Sequence, residues 1–379
     1  MSREYVNQMP ISAGMSRRSG LLSNLHIDFP LFLLLLILVG FGLVVLYSAS
    51  GKDMASVIKQ AEFYAAGFFV MFVVAQLNPG SLRYWSIPGY LVGILLLIAV
   101  LFLGDSAKGA QRWLQIGSFR FQPSEIMKLM LPMVIAWYFS TRPSPPRFIH
   151  IIVGLIIVGV PAVLVARQPD LGTAILVSVS GIFVIFFAGL SWGYIFTAIG
   201  VLIAAAWPMW HFGMHDYQRQ RILTMFDPES DKLGTGWNII QSTTAIGSGG
   251  FDGKGWLLGT QSHLDFLPES HTDFIIAVLA EEYGFKGVLC LLALYLLIIA
   301  RGVWISVNAN YSFGRLLAGS LVCTFFVYVF VNMGMVSGIL PIVGVPLPLV
   351  SQGGTSVVTL LTSFGLLMAI ARDKRILLR

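Results

Sequence analysis

The stretch "FLPESHTDFIIAVLAEE", residues 266–282, puts acids where an apolar chain has least use for them. Asp273 stands at the mouth of a hydrophobic run, and Glu281 and Glu282 lie inside it. A carboxylate at a water–lipid boundary can serve as a general base on a lipid-bound substrate. The structural alternative for Asp273 is a capping box: Ser270 as N-cap and Asp273 as the acid at N3. For a helix starting near 273, Glu281 and Glu282 would lie about 12–14 Å along it. Burying an ionisable group at that depth is costly, which makes it a functional candidate. Glu282 and Lys286 are i,i+4 in the favourable order and are expected to pair. Glu281 has no evident partner, and an interhelical hydrogen bond is its structural alternative.

A second pair stands in "QPSEIMKL". Pro123, Ser124 and Glu125 suit a helix start, and Glu125 and Lys128 are i,i+3 neighbours that can form an ion pair. They read either as a capped helix or as a polar floor under a ligand. Just before them, 105–123 carries Lys108, Arg112 and Arg120 against one acid. On the outer face such basic residues suit an anionic group at the membrane surface, a phosphate for example. Snorkelling to lipid headgroups explains them equally well.

Eight glycines fall between Gly234 and Gly259. That density permits tight backbone and close approach to a ligand, but neither a Walker loop nor a dinucleotide fingerprint is present. The tryptophans and aliphatic residues of this segment, Trp237, Ile239 and Trp256 among them, argue against disorder. The segment is expected to pack on the outer ends of the helices. Metal chemistry has weak support. His211 and His215 lack the HExxH context, and His263, Asp265, Glu269 and His271 follow no strict ligand spacing. No GxSxG elbow occurs. The segment 332–356, "NMGMVSGILPIVGVPLPLVSQGGTS", holds Pro341, Pro346 and Pro348 and cannot be a plain helix. It reads as a rigid re-entrant element beside a cavity.

The elements that position these residues are membrane helices. Of 379 residues, 56% are hydrophobic and 11% charged, with a mean hydropathy of +0.80. Soluble domains carry about 25% charged residues. About ten runs approach the roughly 20 apolar residues that a span needs: near 30–48, 60–77, 86–104, 124–140, 148–166, 172–189, 193–212, 273–300, 315–338 and 354–371. The expected fold is an all-α polytopic bundle, since each span must satisfy its own backbone. It divides into a tail (1–29), seven helices (30–212), a long outer loop (213–272), three helices (273–371) and a second tail (372–379). The first run is too long for a signal peptide. Ten spans place both termini on one side, and the basic tail with Arg372, Lys374, Arg375 and Arg379 makes that side the cytoplasm. Cys290 and Cys323 sit in apolar runs and read as core residues, not as a disulfide.

The motifs "GAQRWLQIG", "QPSEIMKL", "RQPDLGTA", "GWNIIQSTTAIGSGGFDGKGWLLGTQSHLDFLPESHTDFIIAVLAEE" and "GILPIVGVPLPLVSQGGTS" resemble, in order and over nearly the whole chain, those of the SEDS family (shape, elongation, division and sporulation). Gln352 in "SQGG" is a small departure. The resemblance implies ten membrane helices in the bacterial inner membrane, cytoplasmic termini and a periplasmic active site. It implies a peptidoglycan glycosyltransferase that polymerises lipid II for cell elongation and rod shape. The implied partners are a class B penicillin-binding protein, elongation-complex membrane proteins and membrane lipid, with no nucleic acid. By motif matching, Asp273 takes the place of the family's essential aspartate. Arg112, Lys108, Glu125 and Lys128 carry over as substrate-binding candidates, and Glu281, Gln241 and Ser351 are grouped with them.

Asp273 would then take the proton of the acceptor GlcNAc 4-hydroxyl as its oxygen attacks C1 of the donor MurNAc. An α-linked donor giving a β-1,4 product means inversion in one displacement, which needs one base and not the carboxylate pair of glycosidases. No cofactor is firmly implied; Arg112, Lys108 or a divalent cation (Mg or Mn) could stabilise the departing diphosphate. Two rival classes are a lipid II flippase and a non-catalytic scaffold of the elongation machinery.

Overall fold

A computed structural model describes residues 26–107, 110–116, 119–214, 216–231, 234–260 and 270–372. Ten apolar helices occupy the ten expected places: α1 Phe29–Ala49, α2 Met54–Ala75, α3 Pro79–Leu103, α4 Pro123–Ser140, α5 Phe148–Ala166, α6 Leu171–Phe187, α7 Trp192–Pro208, α10 Ile275–Val307, α11 Ser312–Val336 and α12 Thr355–Arg372. Eight of them are long and apolar enough to cross a membrane, α7 together with the π-helical turn Met209–Gly213 that continues it. The other two are α4, which carries Glu125 and Lys128, and the shorter α6. The chain is an integral membrane protein.

Short polar residues start these helices by accepting their first free N–H groups. Asp28 accepts from Leu31 N (3.1 Å), Asn78 from Gly80 N (3.0 Å) and Asp170 from Thr173 N (3.2 Å). Prolines stand in the first turns of α1, α3 and α4, where their missing N–H is not needed.

α11 lies at the centre and buries more of its length than the other seven helices long enough to cross a membrane. It packs on α10, α6 and α4, while α12 runs along α2, α3 along α4, α5 along α6 and α10 against α1. α7 buries none of its residues. The described residues begin and end at one face. There the Arg301 guanidinium holds Asp28 through Nε (2.9 Å) and Nη2 (2.7 Å), and Arg372 reaches Gln76 O (3.5 Å). Asp273 precedes α10, at the opposite face.

Three findings depart from the sequence-based expectations. The basic loop 105–121 folds into a three-stranded antiparallel sheet, β1 Asp105–Ala107, β2 Ala110–Ile116 and β3 Phe119–Phe121, a small addition to the all-α bundle. Cross-strand partners include Leu114 with Phe121 and Gln115 with Arg120. The long loop carries its own helices, α8 Asp216–Phe226 and α9 Thr235–Gly249, with a 3₁₀ turn at Pro228–Asp231 between them; α9 packs on α10. Cys290 and Cys323 are free thiols, as read, but Cys290 is exposed and Cys323 half-buried, so neither is a core residue. Their runs face outward at these positions.

Candidate active site

A cavity of about 630 Å³ opens between α4, α6, α11, α12 and the segment 342–360. It brings together Arg112, Glu125, Lys128, Asp273 and Ser351 from the sequence candidates. Lys108 lies outside the described residues. Gln241, one turn beyond the cavity-lining Asn238 on α9, does not line it, and neither does Glu281.

One wall is charged. Glu125, in the first turn of α4 where the helix dipole favours an acid, is buried and accepts from Lys128 Nζ at 2.6 Å. Lys128 Nζ also stands 5.1 Å from the ring centre of Tyr328, a cation–π distance. Arg112, on β2, donates through Nη2 to Pro169 O (2.6 Å), and its Nε lies 3.6 Å from Asp170 Oδ2. Asp170 is buried, caps α6 and accepts from Gln122 Nε2 (3.1 Å). The hairpin and the α6 cap therefore hold the guanidinium at the cavity mouth. Each cation keeps N–H donors beyond those its acid uses.

The facing wall is non-helical backbone, which runs over 337–354 of the expected 332–356, the ends of that range being helical. Buried backbone groups there are satisfied one at a time: the Pro348 carbonyl accepts from Tyr295 Oη (2.6 Å), the Leu349 carbonyl accepts from Tyr64 Oη (2.9 Å), and Leu347 N donates to Ser351 Oγ (2.9 Å). Leu349 has φ +58°, a left-handed conformation that costs a branched residue energy and persists only when its surroundings over-determine it. The two tyrosine hydrogen bonds supply that determination. Ser351 is 2% exposed and spends its hydroxyl on this turn.

Asp273 is half-buried at the rim between these walls. The capping box is not formed. Helix α10 starts at Ile275 with Phe274 as N-cap, no side chain caps it, and the Ser270 hydroxyl donates instead to Ala49 O (3.2 Å). Asp273 therefore sits in the turn before the helix, its carboxylate beside Gly344: a Cβ placed there would meet Oδ2 at 3.6 Å. Gly344 has φ +76°, which glycine alone adopts cheaply.

The Glu282–Lys286 pair is also not formed. Helix α10 breaks at Gly284 (φ +66°, ψ −164°), which destroys the i,i+4 relation. Lys286 pairs with Asp252 and Glu282 accepts from the Ser48 hydroxyl. Glu281, fully buried, accepts from Lys254 Nζ (2.7 Å), Thr260 N (2.8 Å) and Thr260 Oγ1 (3.1 Å). The glycine-rich loop lies along the break: Lys254 N donates to Glu281 O (3.0 Å), Gly255 N to Glu282 O (2.9 Å) and Phe285 N to Gly250 O (3.0 Å). A Cβ at Gly253 would lie 2.2 Å from Glu282 O, so close backbone packing is what the glycines permit. Glu281 anchors the loop to α10, the helix that Asp273 precedes, and Glu282 ties that helix to α1 through Ser48.

Sequence reasoning missed the polar stripe of α11. Thr324 and Tyr328 line the cavity, and Asn332, one further turn along, is fully buried and donates through Nδ2 to Asp273 O (2.9 Å) and Val345 O (2.7 Å). The i, i+4, i+8 spacing of polar residues in an apolar helix was the available signal. Asp170, in "RQPDLGTA", was quoted only as part of a motif. Among the described residues no group of three or more His, Cys, Asp or Glu stands together as a metal site. Glu125 is engaged by Lys128 and Asp170 by Gln122 and Thr173 N. These donors do not fit a resident divalent cation, and His263, Asp265 and Glu269 lie outside the described residues.

Ten apolar helices, a glycine-rich loop pinned to a broken helix, and a charged cavity at one face define a membrane-protein class. A family model described as a cell cycle protein, FTSW_RODA_SPOVE, matches residues 29–376, and the chain belongs to that family. It is 52% identical over 355 residues to peptidoglycan glycosyltransferase MrdB of Escherichia coli (strain K12), covering 93% of this chain and 96% of that one. It is 34% identical over 358 residues to the "Probable peptidoglycan glycosyltransferase FtsW" of Geobacter metallireducens, covering 91% and 94%. Its fold is similar to that of a solved chain from a peptidoglycan synthase complex that coordinates polymerization and crosslinking, with TM-score 0.80, 31% identity and 92% and 98% coverage. It is also similar to the rod shape determining protein RodA of Thermus thermophilus, with TM-score 0.70, 28% identity and 92% and 97% coverage.

Proposed function

We propose that the cavity is where glycan strands are polymerised from lipid II, with Asp273 as the general base. The chain is a peptidoglycan glycosyltransferase for cell elongation. The observation that carries the site assignment is the pairing of one carboxylate at the cavity rim with two cations, Arg112 and Lys128, on the same cavity. Inverting transfer needs that set: one base for the acceptor, and positive charge where the leaving group becomes more anionic.

In the proposed step the acceptor GlcNAc 4-oxygen bonds to C1 of the donor MurNAc and its proton passes to Asp273. The C1–O bond to undecaprenyl diphosphate breaks, and the electron pair leaves with the diphosphate. Arg112 and Lys128 face that diphosphate with donors beyond those used by Asp170 and Glu125. The apolar lower wall, Leu129, Leu321, Phe325, Val357 and Leu360, takes the start of the lipid tails. Participation of a divalent cation stays within the proposal only as a charge brought by the substrate's own diphosphate.

The Asp273 face is assigned to the periplasm, because the described residues begin and end at the other face, where Arg301 and Arg372 lie, and basic residues favour the cytoplasmic side. A class B penicillin-binding protein is the assigned transpeptidase partner, with other elongation-complex membrane proteins around it.

The test is glycan-strand synthesis from labelled lipid II by the purified chain, with and without that partner. Strands of many disaccharides are expected. Lipid II flipping in vesicles with no strand formed would favour a transporter instead.

A further inference from the structure

The stripe on α11 ends at a side chain whose position is unusual for a membrane helix. Asn332 is fully buried, and its amide nitrogen donates to two carbonyls from different parts of the chain: Asp273 in the turn before α10, and Val345 in the non-helical segment. Both carbonyls lie outside the helices, and a buried or half-buried carbonyl is stabilised by such a donor. The amide's orientation follows from its partners, because the reverse orientation would set its oxygen against two carbonyl oxygens. Val345 follows Gly344, the residue beside the Asp273 carboxylate. One NH₂ group thus ties the backbone carrying the carboxylate to the backbone against which the carboxylate rests.

We infer that Asn332 is a positioning residue for Asp273: its amide clamps the Asp273 and Val345 peptides together and so sets where the carboxylate stands in the cavity. The inference rests on the reading of Asp273 as base. It assigns no contact between Asn332, which is absent from the cavity lining, and the substrate. A clamp of this kind acts on the chemical step and leaves substrate binding alone, because the cations and the apolar wall stay in place. A displacement of about 1 Å at a reacting group can cost roughly 100-fold in rate.

The experiment measures kcat and KM for lipid II polymerisation by the purified full chain with its transpeptidase partner. Asn332→Ala is expected to lower kcat about 30- to 100-fold with KM within about threefold. Asn332→Ser, which keeps one hydroxyl donor for two carbonyls, should fall between wild type and Asn332→Ala. Gly344→Ala approaches the same carboxylate from the other side and should also lower kcat with KM unchanged; it serves where Asn332→Ala fails to fold, as judged by its thermal transition. Wild-type kcat in folded Asn332→Ala, or a loss carried by KM alone, overturns the inference. Should Asn332→Ala be unfolded, wild-type kcat in both Asn332→Ser and Gly344→Ala overturns it. Asp273→Asn, run in parallel, separates the two readings: activity there defeats the base assignment, whatever Asn332 does.

Discussion

Removing the cation from Glu281 tests how the glycine-rich loop is held. The Glu281 carboxylate is 0% exposed, and its Oε1 accepts from Lys254 Nζ and from the Thr260 amide and hydroxyl. Lys254→Met removes the Lys254 cation from this acid and leaves the Thr260 bonds. Breaking a buried pair costs about 3–5 kcal/mol. The Lys254 side chain is 28% exposed, so water screens part of the attraction, and about 2–3 kcal/mol is expected. At about 2 °C per kcal/mol for a large chain, the thermal midpoint in detergent should fall by roughly 4–6 °C. Glu281→Gln keeps an acceptor for Thr260 and should cost about 1 kcal/mol. The double variant should cost scarcely more than Glu281→Gln, because no buried charge is then left unpaired. That gives a coupling of about 2 kcal/mol in a double-mutant cycle. Additive midpoints, or a Lys254→Met shift no larger than an ordinary surface substitution, would refute the reasoning.

Gly284→Ala places a Cβ on a residue with φ +66°, 2.4 Å from Gly253 N; it should cost at least about 2 kcal/mol and speed proteolysis within 249–260. At the opposite face, Arg301→Ala and Asp28→Asn each break one bidentate pair and should cost about 1–2 kcal/mol alike, read as a midpoint lower by roughly 2–4 °C. Asp28→Ala also removes the α1 cap and should cost about 1 kcal/mol more in the same melt.

The spans were legible because apolar length is nearly sufficient to define a membrane helix, and the helices with their caps fall where the runs predicted. Glu125–Lys128 was legible because i,i+3 geometry is local. Glu282–Lys286 failed for the same reason in reverse. A local rule was applied across Gly284, and nothing in the sequence marks that glycine as a break until the loop 249–255 is seen lying against it. The Lys254–Glu281 pair spans 27 positions and is visible only in three dimensions. The hairpin at 105–121 was hidden by its short strands. Tyr328 and Asn332 were passed over because single polar residues in an apolar helix usually satisfy a neighbour and do nothing more, which is half true of Asn332. Asp273 was found as a boundary acid; its seat before α10, and not in a capping box, came from the structure.

The central claim is that Asp273 takes the acceptor's proton. The most direct measurement is single-turnover coupling of labelled lipid II by Asp273→Asn, in the purified complex with its transpeptidase partner and with its thermal transition matched to wild type. Asparagine keeps the shape and loses the base, so the rate should fall about 10²- to 10⁴-fold while lipid II still binds. Coupling at near the wild-type rate would contradict the account.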